Sequence, residues 1–185
     1  MLRAIVFSLV ALITLVLGVR AFDTTPEQAR EQIMLAEINA QEGAEFRRTN
    51  RLRAGVIELD SGVQVEVLHQ GEGRLPSTEN WVEVHYTGRH ADGRIFDDSR
   101  RRGEPMLAPL EKTIAGWRDV LRHLPVGSRA VLVIPPDMAY GRVGSGPVGP
   151  EETLIFELEL LDIHAAPEPF ERGADQQRVL SLRST

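Results

Sequence analysis

Apolar side chains in this chain recur at every second residue in several separated segments, and at helical spacing in one segment between them. Val63, Val65 and Val67 alternate with polar residues, and Val82, Val84 and Tyr86 do the same after the turn-rich stretch Gly71-Glu-Gly-Arg-Leu-Pro-Ser-Thr. Leu154, Phe156, Leu158 and Leu160 share one face of a run from Leu154 to Ile163, and Ala130 to Ile134 adds another apolar run. Successive side chains of a strand point to opposite faces, so these segments predict half-buried antiparallel strands. Thr113 to Leu124 has another period, with Ile114, Trp117, Leu121 and Leu124 at spacings of three, four and three. That pattern makes one apolar helix face, fit to lie against a sheet. Strands packed on a single helix predict an α+β domain.

The flanks differ from this pattern. Met1-Leu2-Arg3, an apolar run from Ala4 to Val19 and then Val19-Arg20-Ala21 have the three parts of a secretory leader, with cleavage expected after Ala21. The run approaches the lower limit for crossing a bilayer, so an uncleaved membrane anchor is the alternative. Thr25-Pro26-Glu27-Gln28 predicts a helix start with a capping box, and the helix is expected to run from about Pro26 to Glu42, where Gly43 interrupts it before Phe46. Its stripe of Ile33, Leu35 and Ile38 is thin. A helix that leans on the domain or is solvated, or an arm that dimerises, would fit it. Beyond Ile163 the chain turns to Pro, Ala, Glu, Arg and Gln without periodicity, which predicts a disordered tail. The expected organisation is a leader at 1–21, a helical arm and linker at 22–59, a folded domain at 60–163 and a tail at 164–185.

Several chemistries are excluded. Without cysteine there is no disulfide, thiolate nucleophile or Cys-based zinc site. The five histidines form no ligand pair at helical spacing, so neither a metal nor another cofactor is expected. A formal charge of −6 and the lack of a basic stripe argue against nucleic acid as a partner. Neither a phosphate-binding loop nor a Gly-x-Ser-x-Gly elbow occurs.

The ten aromatic residues are the remaining clue, and five of them, Tyr86, Phe96, Trp117, Tyr140 and Phe156, sit inside short motifs. Rings gathered from separate segments make either a core or a pocket for a flat apolar ligand. Trp117 on an apolar helix face reads more readily as core, and Asp97 equally as a turn cap. Tyr140 follows Pro135-Pro136-Asp137 and precedes Gly141, a turn-rich setting that favours a groove.

In order, the motifs are Val84-His-Tyr-Thr-Gly, Asp92-Gly-Arg-Ile-Phe-Asp-Asp-Ser, Ile114-Ala-Gly-Trp, Met138-Ala-Tyr-Gly and Thr153-Leu-Ile-Phe-Glu-Leu-Glu-Leu. Together they resemble the FK506-binding-protein (FKBP) family of peptidyl-prolyl cis-trans isomerases over about residues 60 to 163. Upstream, Asn39-Ala-Gln-Glu-Gly, Phe46, Asn50, Gly55-Val56 and Leu59-Asp-Ser-Gly-Val-Gln are similar to the arm-to-domain join of secreted bacterial members, the macrophage infectivity potentiator type. The resemblance implies a half-open antiparallel sheet wrapped round one short helix, with a short N-terminal helical arm.

It further implies Trp117 as a pocket floor, with Tyr86, Phe96 and Phe156 as walls and Ile114, Val148, Met106 and Thr113 beside them. The catalytic group it implies is Asp97, Tyr140, Tyr86 and Phe96. The Tyr140 hydroxyl and the Ile114 N–H would bond peptide carbonyls, while Asp97 would lie near the twisting carbonyl and help hold Tyr86. Met106 and Ala108 stand where the family usually carries aromatics. Val148-Gly149-Pro150 replaces a common Ile-Pro-Pro, which predicts a looser flap. The implied partners are folding exported proteins with X-Pro bonds and FK506-like macrolides, acting as a monomer or weak dimer in the periplasm, or from the inner membrane if the leader stays. A proline-binding holdase or a tethered envelope module is the alternative function.

Overall fold

The computed structural model describes residues 25–166, so the expected leader and nearly all of the expected tail lie outside the described residues. A 25-residue helix α1 (Pro26–Asn50) leads into strands β1 (Val56–Glu58), β2 (Gln64–His69), β3 (Trp81–His90) and β4 (Ile95–Asp98). A single-turn helix α2 (Ser99–Arg102), β5 (Met106–Pro109), a 3-10 turn at Leu110–Lys112 and helix α3 (Ala115–Leu121) follow. The described chain closes with β6 (Arg129–Ile134), a 3-10 turn at Pro136–Met138 and β7 (Leu154–His164). No described helix is long and apolar enough to cross a membrane.

The strands form one seven-stranded sheet in the order β1-β2-β6-β7-β3-β4, with β5 also paired to β3, and every pairing is antiparallel. Alternation sets its faces. Along β3, Val82, Val84, Tyr86, Gly88 and His90 are buried while their neighbours are half-buried. On β7, Leu154, Phe156, Leu158 and Leu160 face the same core, and a register irregularity opposite Glu83/Val84 returns Ile163 to that face. Helix α3 fills the concave side with Trp117, Val120 and Leu121. Each large apolar side chain so buried contributes about 1.5–3 kcal/mol.

Three strands escape alternation because they are short. β1, β4 and β5 have three or four residues each, too few to display a period. α3 is also shorter than the predicted span, because Thr113 holds the preceding 3-10 turn by bonding Leu110 O through both its N–H and its hydroxyl.

The arm helix is longer than its sequence predicts. Its capping box forms as predicted, with Gln28 N–H donating to Thr25 Oγ1 and Thr25 N–H to Gln28 Oε1, but the helix passes through Gly43 to Asn50. Gly43 is a contact point, because a Cβ there would lie 2.3 Å from Thr153 Oγ1. Around it the arm docks on the domain. Asn39 Nδ2 donates to Pro150 O at 2.8 Å, Arg47 donates to Thr153 Oγ1, and buried Asn50 donates to Gln64 Oε1 at 2.8 Å. Nearer the N-terminus, Ile33 and Met34 remain 69% and 65% exposed.

Candidate functional site: an aromatic cavity beside helix α3

Where β3, β4 and β7 curl over the start of α3, a cavity of about 240 Å³ is lined by Tyr86, Phe96, Asp97, Met106, Ala108, Lys112, Thr113, Ile114, Trp117, Tyr140 and Phe156. The volume lies just below the range of drug-sized ligand sites, about 300–1,000 Å³, and suits a small ring. A more open groove of about 360 Å³ beneath α1 is lined by Arg47, Arg48, Arg51, Glu58 and Asp137 and contains no aromatic side chain.

The rings pack edge to face. Trp117 stands 5.2 Å from both Tyr86 and Phe156, at 79° and 84°, and Phe96 lies 5.7 Å from Phe156 at 89°. Edge-to-face pairs place positive ring edges on negative faces, so each ring fixes the next. Gly88 makes room for them. It pairs with Phe156 on β7 and Asp97 on β4, and a Cβ there would lie 2.6 Å from Phe96 Cζ and 3.0 Å from Phe156 Cε1. The buried Trp117 indole N–H has no hydrogen-bond partner among the described residues.

A polar cluster closes one side. The Tyr86 hydroxyl donates to Asp97 Oδ2, while Arg102 Nη1 donates to Asp97 Oδ1 and Arg102 Nη2 approaches the Tyr86 hydroxyl at 3.2 Å. The Arg102 guanidinium also sits 5.5 Å from the Tyr86 ring centroid. Burial, and then the Asp97 hydrogen bond, pushes the Tyr86 phenol above its ordinary value. The cluster therefore presents a neutral phenol held between an acid and a base. Arg102 went unassigned in the sequence. Its clue is local, since Asp98 caps α2 by accepting from the N–H groups of Arg100 and Arg101, and the turn so begun swings Arg102 back over Asp97.

Of the residues implied by resemblance, the structure brings Asp97, Tyr140, Tyr86, Phe96, Trp117, Phe156, Ile114, Met106 and Thr113 to this cavity. Tyr140 is 40% exposed at its mouth, as its turn-rich surroundings suggest. The Ile114 N–H precedes α3 and makes no hydrogen bond among the described residues. Val148, 5% exposed, packs into the same core cluster as Tyr86, Trp117 and Phe156 but, unlike them, is not on the cavity lining. Its backbone explains this position, because a two-way bridge with Ser145 turns the loop inward at Val148. The expected loose flap is tied at that bridge, by Glu151 N–H to Gly141 O at 2.9 Å, and by Asn39 of the arm.

Comparison with known proteins agrees with this geometry. Residues 72–161 match the family described as FKBP-type peptidyl-prolyl cis-trans isomerase. Over 125 residues the chain is 45% identical to the FKBP-type 22 kDa peptidyl-prolyl cis-trans isomerase of Escherichia coli, covering 67% of this chain and 61% of that protein. It is 35% identical to the outer membrane protein MIP of Legionella longbeachae, over 78% of this chain and 62% of that one. The chain thus spans less than two thirds of these curated relatives. The crystal structure of FkpA from Escherichia coli superposes with a TM-score of 0.76 at 34% identity, over 84% of this chain and 73% of that chain. With the family match over residues 72–161 and the superposition on FkpA at 34% identity over 73% of that chain, the chain belongs to the FKBP-type peptidyl-prolyl cis-trans isomerase family.

Proposed function

We propose that this protein catalyses cis-trans isomerisation of X-Pro bonds in exported proteins as they fold, with the proline ring seated on Trp117 between Tyr86, Phe96 and Phe156. The observation that carries the reading is a ring-lined, largely apolar cavity with Asp97 held at its wall by Tyr86 and Arg102. Rotation about the bond faces a barrier of about 18–20 kcal/mol because the amide gives up its C–N resonance. In the twisted state the carbonyl loses dipolar character, so a water-poor pocket favours it over the planar amide. Each 1.4 kcal/mol of that preference speeds rotation about tenfold. No bond to a nucleophile is needed, in keeping with the lack of an activated one among the lining residues.

In this reading the Ile114 N–H and the Tyr140 hydroxyl hold peptide carbonyls, and Asp97, fixed by Arg102 and Tyr86, lies beside the rotating one. The leader-like N-terminus supports a periplasmic site of action, and FK506-like macrolides would compete for the same rings. In a protease-coupled proline-peptide assay the mature chain should accelerate cis-to-trans conversion, and Asp97→Val or Tyr140→Phe should weaken it by about tenfold, the scale of one lost transition-state contact. A wild-type rate equal to the uncatalysed one would overturn the enzymatic reading. The exposed apolar residues Ile33, Met34, Leu35 and Ile38 on the arm favour a second, compatible role in holding unfolded chains. Suppressed aggregation of a proline-free client would reveal it.

A further inference from the structure

Twenty of the chain's 21 basic residues are arginine, and the single lysine, Lys112, lies on the lining of the aromatic cavity. It ends the 3-10 turn between β5 and α3, two residues before Ile114. The turn is held firmly. Leu110 is fully buried with its N–H on Asn80 O, and both the N–H and the hydroxyl of Thr113 bond Leu110 O. Arg118 also donates to Thr113 O.

The charges around the cavity do not cancel Lys112. Asp97, the carboxylate on the lining, is already engaged by Arg102 and the Tyr86 hydroxyl. Among the described residues no carboxylate lies within ion-pairing distance of Lys112. Glu111 is its chain neighbour, but successive residues of a 3-10 turn point about 120° apart. An exposed ammonium without an ion-pair partner among the described residues therefore stands at the rim of a largely apolar site, in a chain whose net charge is −6.

We propose that Lys112 is a specificity-determining residue that selects substrates carrying an acidic side chain on a residue flanking the proline. The proposal rests on the cavity being the proline site. With proline seated on Trp117, the peptide leaves over the rim, where a four-carbon stem lets the ammonium follow a flanking carboxylate without dictating its geometry. The gain is that of an exposed ion pair, about two- to fivefold in kcat/KM, and it is screened by salt.

Two measurements test it. In exchange NMR at low ionic strength, peptides differing only by Glu, Gln or Lys before or after proline are compared on the full chain. The expected result at one of these flanks is a Glu-to-Lys ratio of kcat/KM of about four or more, collapsing toward one in Lys112→Gln, inverting in Lys112→Glu and fading in 0.5 M salt. A ratio that is the same in all three proteins, or absent at both flanks, overturns the proposal. Because Lys112 is the only lysine, reductive 13C-methylation labels just its amine and the N-terminus while keeping the charge. The Lys112 methyl signal should shift on titration with the Glu peptide and stay still with the Lys peptide; equal responses refute the assignment. Peptide binding without isomerisation would sink the catalytic reading alone, since the methyl signal reports Lys112 independently of turnover.

Discussion

Replacing Gly88 by alanine would press one added methyl group against two walls of the aromatic cavity. Gly88 lies in the interior of β3, where alanine is ordinarily better than glycine by about 0.5–1 kcal/mol. Here the new Cβ would fall 2.6 Å and 2.7 Å from Phe96 Cζ and Cε2, and 3.0 Å from Phe156 Cε1. Ordinary van der Waals contact begins near 3.4 Å, so Phe96 must retreat by about 0.8 Å. It cannot do so freely, being packed edge-on to Phe156 at 5.7 Å and to His90 at 5.1 Å. Overpacking of this kind costs about 1–3 kcal/mol against the roughly 0.5–1 kcal/mol that alanine brings, which leaves a net loss of up to about 2.5 kcal/mol. For a chain of this size each kcal/mol lowers Tm by about 2–4 °C, so calorimetry should register a fall of up to about 10 °C. A wall displaced by nearly 1 Å should also lower kcat/KM tenfold or more. Phe96→Leu in the same background relieves the clash and restores stability while activity stays low. A Gly88→Ala protein with the wild-type Tm or higher, and the wild-type rate, would refute this view of how the walls are held.

Gly43 carries a parallel expectation at the arm. Gly43→Ala should destabilise by about 1–3 kcal/mol, although alanine normally improves a helix interior, because its Cβ would meet Thr153 Oγ1 at 2.3 Å. Thr153→Ala should recover part of that loss in a double-mutant cycle, and additive effects would show that the two residues do not touch. The Tyr86 phenol supplies a pH dependence. Its folded pKa is raised by burial and then by Asp97, so its contribution to stability is complete below the unfolded value of about 10 and is lost as pH rises through the folded one. Guanidinium unfolding between pH 9 and 11.5 should therefore show a steeper alkaline decline in the wild type than in Tyr86→Phe. Equal slopes would contradict the shift.

The sequence disclosed whatever depends on long periodic segments. β3 and β7 are ten and eleven residues long with one buried face, so alternation found them, and the three-four-three spacing found α3. What escaped depends on tertiary contact. Gly43 in a sequence is a helix breaker, and only the approach of Thr153 makes it a docking point. Val148 was expected at the pocket from the resemblance, but loop register cannot be read from composition, and the Ser145 bridge turns it into the core. Arg102 belongs to a basic run that would pass for solvated surface until Asp98 starts the turn that returns it to Asp97. The aromatic set was legible because each ring sits in its own motif. Whether the rings made a core or a cavity was decided by the space left between them.

The most direct test is exchange NMR on a proline peptide, in which cis and trans resonances are followed with a substoichiometric amount of the full chain, alone and with FK506. Cross-peaks between the two isomers at mixing times where the free peptide shows none, abolished by saturating FK506, are the predicted result. Exchange no faster than in the free peptide, while the peptide still perturbs the Trp117 indole resonance, would contradict catalysis and leave the cavity as a binding site alone.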